Sequence, residues 1–220
     1  MRILFIGKER EDPYFDHAKT FINQHFPDAE ILLATPGSKL PEEYKDWQGD
    51  YLISYLCPWI IPAELISNQK FGAINFHPAP PAYPGSGCTN FAIYHGVKEY
   101  GVTCHYMAEK VDSGKIIEVR RFPVYEEDSV YSLTQRCYAY MLPLFFDIMA
   151  IIKAGVPLPE SDEKWSRDAY RMKDFNELKR ITSDMDEAEI NRRIKATTYP
   201  GYDGAYIEIA GEKFVYKDND

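Results

Sequence analysis

The segment INFHPAPPAYPG, residues 74 to 85, ends an apolar run on two polar side chains, Asn75 and His77, and then stiffens with prolines. An imidazole can take or give a proton near neutral pH, and an amide N–H can bond an oxygen on which negative charge develops. Residues two apart on a strand share a face. The proline-rich loop after them has few conformations to lose, so it can hold a pocket wall at small entropic cost. A plainer alternative stands beside this reading: a histidine at a strand end can simply bond a nearby carbonyl.

For such a pair to work at a site, the chain must build a sheet whose strand ends open on one edge, where ligands of open α/β sheets bind. MRILFIG reads as a buried first strand, because the apolar run is short, continuous and stopped by glycine. Residues 14 to 26 put Phe15, Ala18, Phe21 or Ile22 and His25 or Phe26 at helical spacing before Pro27. AEILLAT, DYLISYL and FGAINF read as further strands, with PAELIS a short helix between the last two. This alternation predicts an α/β fold, a Rossmann-like, mostly parallel sheet flanked by helices.

Residues 88 to 96 predict a helix ending on His95, a partner for the helix dipole. GVTCHYM predicts a strand, and GKIIEVRRFPV another whose polar mix suits an edge or antiparallel position. Cys104 and His105 are adjacent and should point to opposite faces, so a metal site there is not expected. Residues 128 to 155 predict the longest helix, capped by Asp128 or Ser129, with Pro143 expected to kink or split it. Beyond about residue 155 the composition turns polar, giving a main domain over 1–155 and a C-terminal extension over 156–220. The extension should hold a helix with Asp184 and Glu187 in a capping box, then a β-hairpin turning at Ala210 and Gly211. In that hairpin Tyr206, Phe214 and Tyr216 are expected on one side, with Ile207, Ile209 and Val215 on the other.

The 220 residues carry 25 basic and 34 acidic side chains, a net charge of −9. That balance argues against a nucleic-acid partner held through many phosphates. No apolar run approaches the ~18 residues of a membrane span, and MRILFIGKER meets charge too early for a signal peptide, so a cytoplasmic protein with no membrane partner is expected. The four cysteines, Cys57, Cys88, Cys104 and Cys137, show no CxxC spacing and read as buried free thiols. GKEREDP follows the first strand where GxGxxG would stand, so NAD and FAD are not indicated.

Taken in order, INFHPAPPAYPG, AIYHGVKEYGVT and MAEKVDSGKII resemble the formyltransferases that use 10-formyltetrahydrofolate, with their Asn-x-His-Pro, Gly-Val-Thr and Asp-x-Gly pattern. LISYLCPWIIP is similar to the strand and turn lining the folate pocket. The resemblance covers residues 1 to 155 well and the tail more loosely. It implies a catalytic trio of Asn75, His77 and Asp112. It further implies that Pro58, Trp59 and Ile60 face the pterin, with Met107 to Asp112 as the opposite wall, and N10-formyltetrahydrofolate as donor with no metal. The chemistry suits these groups: moving a formyl to an amine develops an oxyanion that Asn75 and His77 could stabilise, while the amine must lose a proton. Whether His77 serves as base or oxyanion stabiliser stays open at this level.

The tail narrows the acceptor. INRRIKATTYPGYDGAYIEIAGEKF resembles the corresponding region of the short sugar N-formyltransferases, with Lys195 where arginine is usual. Methionyl-tRNA formyltransferases, as a family, carry a small β-barrel there. The resemblance therefore implies a nucleotide-linked, dTDP-bearing amino-deoxysugar as acceptor, a homodimer and a role in O-antigen (lipopolysaccharide) biosynthesis. Trp165 and Tyr170 could stack on the base, and Lys8 or Arg10 could meet the pyrophosphate. Methionyl-tRNA formylation, glycinamide ribonucleotide formylation and a catalytically silent folate-binding module are the alternatives.

Overall fold

A computed structural model of the chain describes residues 1–9 and 12–217. Its main sheet has six strands: β1 (Ile3–Lys8), β2 (Glu30–Ala34), β3 (Gly49–Tyr55), β4 (Gln69–His77), β5 (Glu99–Tyr106) and β6 (Ile116–Pro123). Their spatial order is β2-β1-β3-β4-β5-β6. The first four are parallel, whereas β5 runs antiparallel to β4 and β6 antiparallel to β5. The polar mix in the last strand is thus explained by an antiparallel edge, as the sequence leads one to expect. It is the fold class anticipated from the alternation of strands and helices.

The continuous apolar run of β1 serves two cores at once. Ile3 and Phe5 enter one, with Phe15, Ile22, Tyr55, Phe76 and Phe145. Leu4 and Ile6 enter the other, with Leu52, Leu65 and Ala73. Full burial of each such side chain stabilises the fold by roughly 1.5–3 kcal/mol, which ties the sheet down between its helical layers. Helix α1 (Pro13–His25) starts on an Asp12 side chain that accepts from the Phe15 N–H; α2 (Ala63–Ser67) covers the opposite face through Leu65. After β4 come α3 (Cys88–His95) and, after β6, α4 (Val130–Ala154).

Helix α4 runs unbroken through Pro143 for 25 residues, which corrects the expected split. Pro143 lies on the exposed side of the helix, where water can take the carbonyl that its missing N–H leaves. One 18-residue window of α4 reaches a mean hydropathy of 1.5 with few charges, enough by composition for a membrane span and more than the sequence reading allowed. Here that apolarity is spent on the core, through Leu133, Cys137, Met141, Leu144, Phe145 and Ile148.

The segment after α4 folds back on the main body. It contains α5 (Met172–Lys179), β7 (Arg180–Ile181), α6 (Glu187–Thr197), β8 (Tyr206–Ile209) and β9 (Glu212–Val215). Tyr170, Leu178 and Ala196 join the main core, and Asn90 on α3 donates to the Ala196 carbonyl at 2.8 Å. The α6 cap is Asp186, which accepts from the Glu189 N–H, not Asp184 with Glu187. Asp-x-x-Glu occurs in both registers, and the Asp186 register leaves Glu189 to take Tyr94 of α3 and Arg193. Lys195 donates to the Glu126 carbonyl, fastening α6 to the loop before α4.

The predicted hairpin forms at Ala210 and Gly211, both at positive φ, but β7 pairs with β8 to make a three-stranded sheet. Its register corrects the expected faces. Tyr206 pairs with Val215 and Ile207 with Phe214, and directly paired residues share a face. Ile207, Ile209, Phe214 and Tyr216 therefore lie together, opposite Tyr206 and Val215, because a two-residue turn pairs odd positions with even ones.

Candidate active site

Asn75 and His77 stand at the carboxyl end of β4, and antiparallel β5 brings His105 directly opposite Asn75. Cys104, its neighbour, points the other way into the main core. The loop between β5 and β6 carries Asp112 back over these residues. Three of these side chains are nearly dry: His77, His105 and Asp112 are 5%, 2% and 9% exposed.

The Asp112 carboxylate is the hub. Its Oδ2 accepts the Gly85 N–H at 2.7 Å and lies 3.3 Å from His77 Nδ1. Its Oδ1 lies 3.3 Å from His105 Nε2 and accepts from Asn75 Nδ2 at 3.4 Å. Burial by itself would raise this carboxyl; the His77 charge and the His105 and Gly85 hydrogen bonds outweigh it and hold Asp112 well below the usual carboxylate range. Asp112 also adopts a φ of 44°, a left-handed conformation that costs a non-glycine residue of order 1 kcal/mol.

His77 Nε2 lies 2.9 Å from the Tyr83 carbonyl. The plain strand-end reading and the chemical one thus hold together, one nitrogen on a carbonyl and the other on Asp112. A neutral ring donates from one nitrogen and a protonated ring from both, so only the protonated ring fills both contacts. His105 Nδ1 meets the Tyr106 carbonyl at 2.8 Å, and its Nε2 stands 3.2 Å from Asn75 Nδ2. The tyrosine behind His77 is itself anchored, its hydroxyl 3.1 Å from His95 Nδ1 at the end of α3.

Asn75, His77 and Asp112 line the floor of a cleft of about 1100 Å³. One wall is Leu56, Cys57, Pro58 and Ile60, with Ile60 78% exposed at the rim. Burial pushes the Cys57 thiol up to about 11, so it is not a thiolate at neutral pH. The other wall comes from the β5–β6 loop and from residues 165 to 171, and it carries three cations, Lys110, Arg167 and Arg171. Among the described residues no group of three or more His, Cys, Asp or Glu side chains is arranged to hold a metal.

Of the residues singled out in the sequence, Asn75, His77, Asp112, Pro58, Ile60, Trp165 and Tyr170 line this cleft, and Trp59, Met107 and Lys8 do not. Trp59 and Met107 pack on the second core behind the wall, Trp59 donating to Ser38 Oγ at 2.9 Å and the Met107 N–H to the Ala73 carbonyl at 2.7 Å. Alternation along the chain turned them inward. Arg10 lies outside the described residues. Tyr170 cannot offer a free face to a base: Phe91 stacks on it at 3.8 Å, and the Arg167 guanidinium covers it at 3.4 Å. Trp165 sits against the histidines, not out at a distal stacking position.

The sequence reading missed His105, Lys110, Arg167 and Arg171. His105 was within reach, because the predicted antiparallel strand needed only its register to set it beside Asn75. The cations carry no pattern of their own; a fold that lays residues 165 to 171 across the cleft is what selects them.

Residues 34–141 match the formyl transferase family. A methionyl-tRNA formyltransferase of Listeria monocytogenes is 32% identical over 126 residues, 56% of this chain and 40% of the relative, so the chain spans under half of that protein. A sugar N-formyltransferase structure from Shewanella superposes with a TM-score of 0.79 at 20% identity, covering 99% of this chain and 96% of its own. An N-formyltransferase from Helicobacter canadensis, solved with folinic acid and dTDP-3-aminofucose, gives 0.72 at 18% identity, covering 96% and 85%.

Proposed function

We propose that this chain, which residues 34–141 place in the formyl transferase family, moves a formyl group from N10-formyltetrahydrofolate to the amine of a nucleotide-linked, dTDP-bearing amino-deoxysugar. One observation carries the reading: an amide, an imidazole and an ionised carboxylate line the floor of a cleft that is apolar on one side and cationic on the other, with a second imidazole, His105, bonded behind them. The apolar wall at Pro58 and Ile60 suits a planar donor ring. Lys110, Arg167 and Arg171 suit a diphosphate, a task that Lys8 does not reach from outside the cleft.

In this scheme Asn75 supplies a hydrogen-bond donor to the oxygen that gains charge as the amine adds to the formyl carbon, and His77 joins it when its Nε2 exchanges the Tyr83 carbonyl for that oxygen. The Asn75 amide has two N–H bonds, so one can hold the cluster while the other serves the substrate. Asp112, ionised, lies 3.3 Å from His77 Nδ1 and keeps the ring in place. A water beside Asp112 takes the proton released by the amine, and collapse of the tetrahedral adduct breaks the bond between the formyl carbon and N10, which takes that proton and leaves as tetrahydrofolate. No protein nucleophile is needed.

The test is incubation with formyltetrahydrofolate and a panel of dTDP-amino sugars, read by mass spectrometry. Gain of one formyl group on a sugar supports the proposal; no gain on any sugar removes it. The Listeria likeness keeps methionyl-tRNA as the second reading, decided by binding and formylation of initiator tRNA. We further place the enzyme in the cytoplasm as a homodimer joined through Ile209, Phe214 and Tyr216, which share one face of the small sheet and are 56%, 56% and 42% exposed. Ile209→Glu with Phe214→Glu should halve the mass measured by light scattering, and an unchanged dimer would move the interface elsewhere.

A further inference from the structure

We propose that Trp165, contributed by the C-terminal segment, is a positioning residue that fixes both imidazoles and the Asp112 turn. The inference rests on the catalytic reading of that cluster. The indole ring lies 4.9 Å from His105 at 85° and 5.9 Å from His77 at 64°, edge-on contacts of the kind aromatic pairs favour. Its N–H donates to the Gly114 carbonyl at 2.7 Å. Gly114 lies two residues beyond Asp112, and a Cβ there would collide with the Tyr106 carbonyl. One side chain therefore touches both histidines and also grips the turn that holds Asp112 in its left-handed conformation.

The segment bearing Trp165 is itself fastened to the loop after β4. The Ser166 N–H donates to the Pro81 carbonyl at 3.2 Å and the Tyr170 N–H to the Pro84 carbonyl at 2.9 Å, while the Tyr170 carbonyl accepts from the Ser86 N–H at 2.8 Å. Between them lies Gly85, whose N–H bonds Asp112. A Cβ at Gly85 would strike the Tyr170 backbone. Trp165 is thus the point where the strap meets the loop after β5 as well as the histidines. A strained φ persists only where its surroundings over-determine it, and this indole is one of the constraints.

Two variants separate the parts. Trp165→Phe keeps a ring against the histidines and loses the bond to Gly114; Trp165→Leu loses both. Among folded variants with near-wild-type melting temperatures, kcat should fall several-fold in the first and about 10²-fold in the second, the scale of a small misplacement of reacting groups. KM for donor and acceptor should change less than about twofold, since transition-state geometry and not ground-state binding is lost. The imidazole N–H signals of His77 and His105, followed by NMR without substrate, should broaden in Trp165→Leu and be largely restored in Trp165→Phe. Wild-type kcat in both variants, or a loss confined to KM for the nucleotide-linked substrate, would overturn the proposal. If wild-type protein formylates no amine, the functional reading fails, and the NMR comparison alone decides this one: unchanged N–H signals in Trp165→Leu overturn it.

Discussion

The floor of the cleft and its cationic wall are built on different principles. Asn75, His77 and His105 sit on paired strands of the central sheet, the two histidines nearly dry, each fixed by at least one named partner. Lys110, Arg167 and Arg171 sit on irregular chain and are exposed. Strand-borne groups have little freedom to lose, which is what charge stabilisation by preorganised donors requires. Exposed cations can follow a flexible, charged ligand. The contrast suggests that chemistry and recognition are separable here, and mutations can test this from either side.

The largest effect is expected at the strand-borne floor. His77→Ala should lower kcat by about 10²–10⁴-fold, and because the buried ring pairs with the Asp112 carboxylate and the Tyr83 carbonyl, it should also lower the melting temperature by several degrees. A loss expressed only in KM would break the comparison.

Asp112→Asn keeps shape and removes the charge, and should cost about 10²-fold in kcat. It also has a signature in stability. The folded-state carboxyl titrates below its unfolded value of about 3.9, so ionised Asp112 stabilises the fold fully above that pH and progressively less as pH falls toward its depressed value. Urea unfolding of wild type and Asp112→Asn should therefore differ fully near neutral pH, and the gap should start to narrow only below about pH 4 and still be largely present at about pH 3, because the folded carboxyl titrates lower still. A gap that widened in acid would contradict the assigned direction.

At the cationic wall, Arg171→Ala should raise KM for a dTDP-linked sugar about tenfold while leaving kcat within about twofold, the pattern of lost uniform binding. An equal fall in kcat would mean that recognition and chemistry are not separable. The smallest effect belongs to Cys57→Ser: a thiol raised to about 11 by burial carries no reactive thiolate, so activity should change less than about twofold, checked by steady-state kinetics with and without a thiol-alkylating reagent.

The same contrast governs what could be read beforehand. The sheet was legible because β1 and β3 are short apolar runs cut by glycine and proline, and Asn75 and His77 because they end such a run. Asp112 needed the family pattern, since nothing local marks an aspartate in a polar loop. His105 depended on strand register, a non-local fact, although its strand had been identified. The cations at 110, 167 and 171 were out of reach because a chain segment some 90 residues beyond His77 supplies two of them. Lys8 and Trp59 fell away for the converse reason: they lie near the right strand ends but not on the cleft. The capping shift from Asp184 to Asp186 and the odd-to-even pairing of the hairpin both come from registers that differ by one or two residues, where packing decides.

The central claim is that the Asp112-centred cluster transfers a formyl group to a sugar amine. The most direct measurement is mass analysis of a dTDP-amino sugar after incubation with formyltetrahydrofolate and either wild-type protein or His77→Ala. The account predicts one added formyl group per sugar with wild type and almost none with the variant over the same time. Equal formylation by both proteins would contradict it, as would tight folate binding by the wild type with no transfer to any amino sugar.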